Sequence, residues 1–566
     1  MIDSLIFEAL RKMKQRILTA ALLMGTAFSL GAQDMYDAQK FSSDLYYGTA
    51  RTVGMGNAVT AVGGDLGSIT FNPAGSSVAG YSQISLTPGV SISSNGTVGS
   101  ILTDGLSTPD GFGDNNVTRH PRMTLPSFGA VLNVDTHRSR GLVSYAFGIT
   151  GNATNNFLGE MFGSGVNSRT SYLGYLAATS DGIASADLNQ GDNSYYKGYA
   201  WQNVSAYQAG LIATYGGYTD KYAGATEFID ESQNIELAGD IDQRYGRLTF
   251  GNKYDIVFNW SGNINNVLYI GANFGITSLE YQFDDYLREQ ALSAQDFPIE
   301  FDDGTVRYFN AAKARYSYDA DGAGIYAKFG FLTRLPGGLR LGATIQTPTV
   351  LSIKEHWSND MSMNYVGESA IAAESPRGEY NYRLRTPWKF SAGVAWTLGE
   401  SILLSADYEL KDYKNMQFRT GYHNDDNFSD QNWAISQWMG VSHNLRLGAE
   451  VKPLPQVALR AGYNLLTSPE KDNDGKYLKR NVNSLSAGIG YSSQGSFFAD
   501  LAVRAHLRGN NAVSPYADPN FRVNGQQIHQ DPQYCYGDYI DGVYSPEIRV
   551  LHDNLWDVLL TIGWRF

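Results

Sequence analysis

Histidine, cysteine and paired carboxylates are the usual material of catalytic and metal sites, and in this chain they are scattered. The 8 histidines, His120, His137 and His506 among them, show no spacing suited to a metal site or a catalytic triad. Cys535 is the single cysteine, which excludes an internal disulfide framework and a cysteine-based zinc cluster. Gly54-x-Gly56 lacks both a preceding strand and a following Lys-Ser/Thr, so it is no nucleotide loop. We therefore expect no enzyme, metal or cofactor. The charge chemistry lies elsewhere. Asp407, Glu409, Arg446, Glu450, Arg460, Arg504, His506 and Arg508 each fall opposite an apolar series in their own segment. Such a set could line a charged permeation path or form a carboxylate site. The plainer reading, which we favour, is an ion-pair network that braces a wall and a plug inside it. A net charge of -13 argues against nucleic acid as a partner, because phosphate binding needs a basic surface.

The elements that would position these charges follow a period of two. Trp556, Val558, Leu560, Ile562, Trp564 and Phe566 share one face of the final segment, and the chain stops on an aromatic. The same alternation runs through hairpins, for instance Ile256, Phe258 and Trp260 into Gly262-Asn263 and out along Leu268, Ile270, Phe274 and Ile276. Glycine and proline mark the turns, as at Pro336-Gly337-Gly338 and Pro453–Pro455. Adding segments near 81–93, 123–135, 141–152, 482–492 and 496–508 brings the total to about 14 strands. Short connections (135–140, 262–266, 334–338, 399–400, 453–455, 493–495) alternate with long polar ones (94–122, 153–244, 283–323, 353–379, 416–440, 467–481, 509–553). That asymmetry is expected of a bacterial barrel with tight periplasmic turns and long external loops. The stretch 153–244 is long enough to hold helices or an extra hairpin. The fold expected is all-β, a transmembrane antiparallel barrel whose charged residues point inward, because lipid-facing Arg or Lys costs roughly 2–4 kcal/mol at mid-bilayer. With 61 Gly, 37 Tyr and 17% charged residues, the composition agrees.

Two segments precede the barrel. Residues 1–32 read as a cleaved signal peptide: Arg11, Lys12, Lys14 and Arg16, then an apolar core over 17–30, then the small residues Gly31-Ala32. Met13 is the expected true start. Residues 33–80 do not alternate and are glycine-rich, with Phe41-Ser42-Ser43, Gly48–Arg51, Gly54-Met55-Gly56 and Phe71-Asn72-Pro73-Ala74-Gly75. A stretch this short does not fold alone and needs a host cavity, which a barrel of about 14 strands is wide enough to supply. Residues 81–566 make up the barrel and its loops.

Phe41-Ser42-Ser43, Gly48–Arg51 and Asn72-Pro73-Ala74, placed between a signal peptide and such a barrel, resemble the FadL/TodX family of outer-membrane hydrophobic-compound transporters. Leu341-Gly342-Ala343 through Thr347-Pro348, Pro387-Trp388 and Asp407-Tyr408 with Asp412-Tyr413 resemble that family's barrel segments. The insertion near 153–244 is similar to larger variants found in Bacteroidetes. The resemblance implies an N-terminal hatch in the lumen, with Asn72, Pro73 and Ala74, together with Arg51 and Phe41, as its motif. It implies passive uptake of long-chain fatty acids or aromatic hydrocarbons, with exit sideways at an inward kink in the third strand. Gly148 and Gly151 are the residues expected to permit that kink. Trp564 and Phe566 resemble the C-terminal signal read by the barrel assembly machinery. The partners implied are a hydrophobic small molecule, outer-membrane lipid and that machinery, with the chain a monomer in the cell outer membrane. A scaffold in surface-protein secretion and a general porin stay open as alternatives.

Overall fold

The computed structural model describes residues 34–566 apart from 100–111, 230–234, 302, 422–426, 473, 494, 509–511, 517–521, 524–525, 528–545 and 547. The expected signal peptide at 1–32, with Met13, lies outside the described residues.

Alternating apolar and polar side chains make a sheet with one wet and one dry face, and such a sheet escapes its exposed edges by closing on itself. Here 14 antiparallel strands close a barrel. They are β1 (Gln83–Gly99), β2 (Asn116–Asp135), β3 (Leu142–Asn156, continued by Gly159–Asn167), β4 (Ile241–Ile264) and β5 (Leu268–Ala291). Then follow β6 (Val306–Arg334), β7 (Leu339–Gln346 with Val350–Tyr365), β8 (Gly378–Arg385 with Lys389–Leu398) and β9 (Ile402–Asp412 with Gln417–Thr420). The circuit ends with β10 (Val441–Leu454), β11 (Val457–Leu466), β12 (Val482–Ser492), β13 (Phe497–Arg508) and β14 (Ile548–Arg565). Each strand pairs with its sequence neighbour, and β14 returns to β1 with Gln83 opposite Arg565. Ser82 and Phe566 exchange backbone hydrogen bonds at the seam. On β4, Ile256, Phe258 and Trp260 are exposed on the outside while Val257, Asn259 and Ser261 are buried inside.

The wall is taller than the apolar alternation indicates. β2 begins at Asn116 rather than near 123, β5 runs on to Ala291 rather than ending near 282, and β6 starts at Val306 rather than near 324. Between β5 and β6 the register is kept throughout, for example Gln290 opposite Ala311, whereas β6 shifts against β7 between Phe309 and Ala311. The outward residues of these extensions are mostly polar, such as Asp284 and Arg288 on β5 and Arg315 and Asp321 on β6. Backbone pairing continues above the apolar band, and a hydropathy pattern reports only on the band.

Between the two halves of the long β3–β4 connection stand helices α3 (Tyr172–Ser180) and α4 (Trp201–Gln208) and two short hairpins. Ser171 and the Tyr172 amide donate to the buried carboxylate of Glu289 on β5, 2.7 and 2.6 Å away, which fixes the start of α3. Leu173, Leu176 and Val204 pack with Leu287, Phe309 and Met363 of the wall and with Phe41 of the N-terminal segment in one apolar cluster. Among the described residues, no helix is long and apolar enough to cross a membrane.

The N-terminal segment lies against the inner face of the barrel. Helix α1 (Met35–Ser42) is capped by Asp34, whose carboxylate accepts the Asp37 amide at 2.8 Å; α2 (Ala50–Gly54) is capped by Thr49. Residues 44–62 are almost wholly buried. A segment with so little regular structure must satisfy its backbone elsewhere. It does so against strands all around the ring.

Candidate functional site

The segment's carbonyls are capped by polar side chains from the wall. Lys253 donates to Phe41 and Ser43, Arg340 to Val62, Asn273 to Ile69, Lys328 to Thr70, Asn259 to Pro73 and Arg334 to Val78. Asn72 is a junction: its Nδ2 donates to Thr60 O at 2.8 Å and to Phe331 O on β6 at 2.9 Å, and its Oδ1 accepts the Ala74 amide at 3.0 Å. Three wall glycines, Gly271, Gly330 and Gly342, face Asn72-Pro73-Ala74 so closely that any Cβ there would collide with that turn or with Thr60. The motif residues are thus seated in one place on β5, β6 and β7.

Of the inward charges named from the sequence, all but the half-buried Arg508 are buried, and Asp407, Glu409, Arg446, Glu450 and Arg504 meet the same segment directly. Arg51 of α2 reaches Glu450 at 3.0 Å; Glu450 also holds Arg460 at 2.7 Å, which in turn holds Asp500 at 2.6 Å. Asp407 accepts the Thr60 amide at 2.8 Å. Glu409 pairs with Arg446 at 2.6 Å and accepts the Tyr46 hydroxyl. Arg504 binds Asp557 at 2.8 Å and donates to Tyr46 O at 2.7 Å, while His506 lies 3.4 Å from Asp557. Arg508 pairs with Asp553 at 3.3 Å. Phe41 is fully buried, its ring 5.7 Å from that of Tyr281. Trp564 and Phe566 point outward, Phe566 70% exposed.

A second charge centre involves residues that were not singled out. Asp44 receives three ammonium groups, Lys253 at 2.8 Å, Lys389 at 2.5 Å and Lys411 at 2.6 Å, from β4, β8 and β9. Burial works to raise the Asp44 carboxyl, but the three lysines outweigh it and hold the group well below the usual carboxylate range. Each lysine sits at an inward position of its strand, so strand parity could have found them. Asp44, in a segment without period, carried no such signal. His120 and His137 lie far from this centre in the chain, each beside a carboxylate, Glu160 and Asp135 respectively. Among the described residues, no group of three or more His, Cys, Asp and Glu side chains could hold a metal ion.

Cavities adjoin the segment, and two of them bear on the wall. The larger, about 320 Å³, lies between α1, the inner wall and the connection after β11; Leu45, Phe157, Tyr281, Tyr413 and Val482 give it apolar sides, and Lys40, Arg480 and Arg508 give it cations. The smaller, about 100 Å³, is lined by Tyr47, Thr124, Leu125, Pro126, Ala153, Asn156, Asn252 and Tyr254. Asn156 borders both. The smaller cavity sits in a gap in the wall. β2 and β3 pair from Asp135 opposite Ser144 only as far as Ser127 opposite Asn152. Beyond that, β2 is held by β1 and the outer part of β3 by β4. The two strands approach again where Thr118 donates to Glu160 O at 3.0 Å. Residues 150–156 are buried on both faces, which means that β3 has turned into the lumen. Its carbonyls there accept the amides of the N-terminal segment instead of those of β2: Ala153 O accepts Tyr47, and Thr154 O accepts Leu45 and Tyr46.

The break does not fall at the expected glycines. Gly148 and Gly151 pair regularly with Val131 and Phe128, and the irregularity comes between Ala153 and Asn155. A Cβ on Gly151 would meet the Phe128 ring at 2.5 Å, so that glycine serves close packing beneath the gap. The strand turns where its sequence, Asn152-Ala153-Thr154-Asn155-Asn156, loses its apolar face altogether. Pro121 and Pro126 on β2 were a further sign, because proline cannot donate to a ladder and belongs at an edge.

The fold and site together define a closed barrel with an internally seated N-terminal segment and an interrupted wall. No protein-family model matches the chain, and neither does any curated protein. Solved structures similar to it include a FadL homologue of Pseudomonas aeruginosa, with 11% identity over 92% of this chain and 99% of that one and a TM-score of 0.49. The toluene transporter TodX of Pseudomonas putida has 13% identity over 92% and 99% of the two chains, with a TM-score of 0.45. The toluene transporter TbuX of Ralstonia pickettii has 11% identity over 92% and 98%, with a TM-score of 0.41.

Proposed function

We propose that this chain is an outer-membrane channel for hydrophobic small molecules, delivered by the signal peptide at 1–32 and plugged by a hatch at 33–80 within the barrel at 81–566. Ligand enters the larger cavity from outside, passes Asn156, and leaves sideways through the gap between β2 and β3. The gap beside the cavity carries this reading, because it offers an exit where the way straight down is filled. The support for a fixed hatch is physical. Lys253, Arg340, Asn273, Lys328, Asn259, Arg334 and Arg504 cap its carbonyls, and Arg51 and Asp44 tie it to buried charges, so ejecting it would strand each partner, at about 1–3 kcal/mol for a neutral group and more for a charged one. An apolar ligand of about 250 Å² gains about 6 kcal/mol on leaving water, and a lateral exit spares it the return. A fatty acid and an aromatic hydrocarbon both fit the scheme. We read no enzymatic role.

The test is uptake of oleate and of toluene by cells carrying the chain in their outer membrane, with mass spectrometry of apolar molecules retained by the purified protein. Expected are faster uptake of at least one class than in cells without the chain, and a retained apolar ligand. Neither uptake nor retention for either class would undo the proposal.

A further inference from the structure

The smaller cavity is closed from within by Tyr47, and the position of Tyr47 depends on a short strap, residues 44–47. Two ends hold it. On one side of the lumen, Asp44 is clamped by Lys253, Lys389 and Lys411, and the Tyr46 hydroxyl donates to Glu409 at 3.1 Å. On the other, the backbone of 45–47 pairs with the inturned carbonyls of Ala153 and Thr154, the Tyr47 hydroxyl donates to Asp557 at 3.3 Å, and Arg504 covers the Tyr47 ring at 4.4 Å. Three peptide units separate Asp44 from Tyr47, a reach of about 10 Å at most, so displacement of one end is passed to the other.

Resting on the lateral route proposed above, we infer that Asp44 is a positioning residue for the wall gap: its triple lysine clamp holds the strap taut, and the strap holds Tyr47 across the exit. The clamp suits a latch because a single side chain joins β4 to the distant neighbouring pair β8 and β9, where Lys389 and Lys411 stand opposite each other. Among the described residues, Asp44 is the acid that pairs with all three lysines; without it, Glu409, 3.3 Å from Lys411, and Asp255, beside Lys253, are left to answer three buried ammonium groups. Breaking a buried pair by removing one partner leaves uncompensated charge on the lysines, which repel one another apart, and the strap end loses its ionic hold.

The experiment reads access to the gap directly. In the full chain with Cys535→Ser, Ala153→Cys places a thiol on the gap lining, where the native side chain is buried. Its reaction with a membrane-partitioning maleimide is followed in outer-membrane vesicles. Asp44→Asn is expected to raise the labelling rate about tenfold or more, and so is Asp44→Asn with Lys389→Met and Lys411→Met, which leaves one buried ammonium, Lys253, in place of three and guards against misfolding. Arg334→Met, which cuts a hatch contact at the far end of the segment, is expected to leave the rate unchanged. A rate unaltered in both Asp44 variants overturns the inference, and so does an equal rise in Arg334→Met, which would mean general loosening. Uptake through an Ala153→Phe wall separates the two ideas. Undiminished uptake there sinks the lateral route, whereas lost uptake with unaltered Asp44 labelling sinks the latch alone.

Discussion

Ala153→Phe is the most direct challenge to the lateral route. The exchange adds about 100 Å³ of side chain, and the cavity beside Ala153 measures about 100 Å³. Growth into empty space avoids the 1–3 kcal/mol typical of overpacking, and the ring buries apolar surface as it fills, so stability should change by less than about 1 kcal/mol. Transport should respond quite differently. A ligand and a phenyl ring cannot share the same volume, and each passage must first drive the ring out against its packing. A cost of about 2.7 kcal/mol for that displacement corresponds to about a hundredfold slower uptake. The assay is initial uptake of oleate and toluene by cells bearing equal amounts of folded barrel, with folding judged by resistance to unfolding in detergent gels. A folded Ala153→Phe barrel that takes up both ligands at the parental rate would refute the argument, since the ligand would then be travelling elsewhere.

Three further outcomes follow from the same contacts. In a double-mutant cycle of Arg51→Met and Glu450→Gln, measured by denaturant unfolding in micelles, the coupling should be about 1–2 kcal/mol, below a fully buried pair because the Arg51 side chain is 22% exposed. The folded-state pKa of Asp44 is depressed, so its stabilisation is present above the ordinary carboxylate value of about 4 and is lost as pH falls through the lower folded value. The labelling rate at Ala153→Cys, divided at each pH by that of a freely exposed cysteine to remove the common loss of thiolate, should accordingly be flat from about pH 8 to pH 4 and rise only below. Phe566→Ala removes an outward ring whose backbone bonds to Ser82 persist, so unfolding should shift by less than about 1 kcal/mol while the assembled yield in cells falls; unchanged yield would count against Phe566 as an assembly signal.

Much of the architecture was legible before any coordinates, because strand geometry writes itself into every second residue. The outward series Trp556, Val558, Leu560 and Trp564, the inward charges Glu450, Arg460 and Arg504, and the alternation of short and long connections follow from a two-residue period and the cost of charge in lipid. The extent of β5 and β6 above the apolar band was not legible, since hydrogen bonding alone maintains them there. Nor was the kink, which followed the loss of an apolar face at 152–156 rather than the nearby glycines.

The residues that matter most to the site were the least visible. Asp44 and Tyr47 lie in a segment with no repeating geometry, whose conformation is dictated by partners hundreds of residues away: Lys253, Lys389, Lys411, Arg504 and Asp557. Sequence by itself determined the wall, because each strand needs only its own alternation to declare a face. Only closure of the ring decided what the wall encloses, because side chains from a dozen strands meet the segment at positions that no local pattern records.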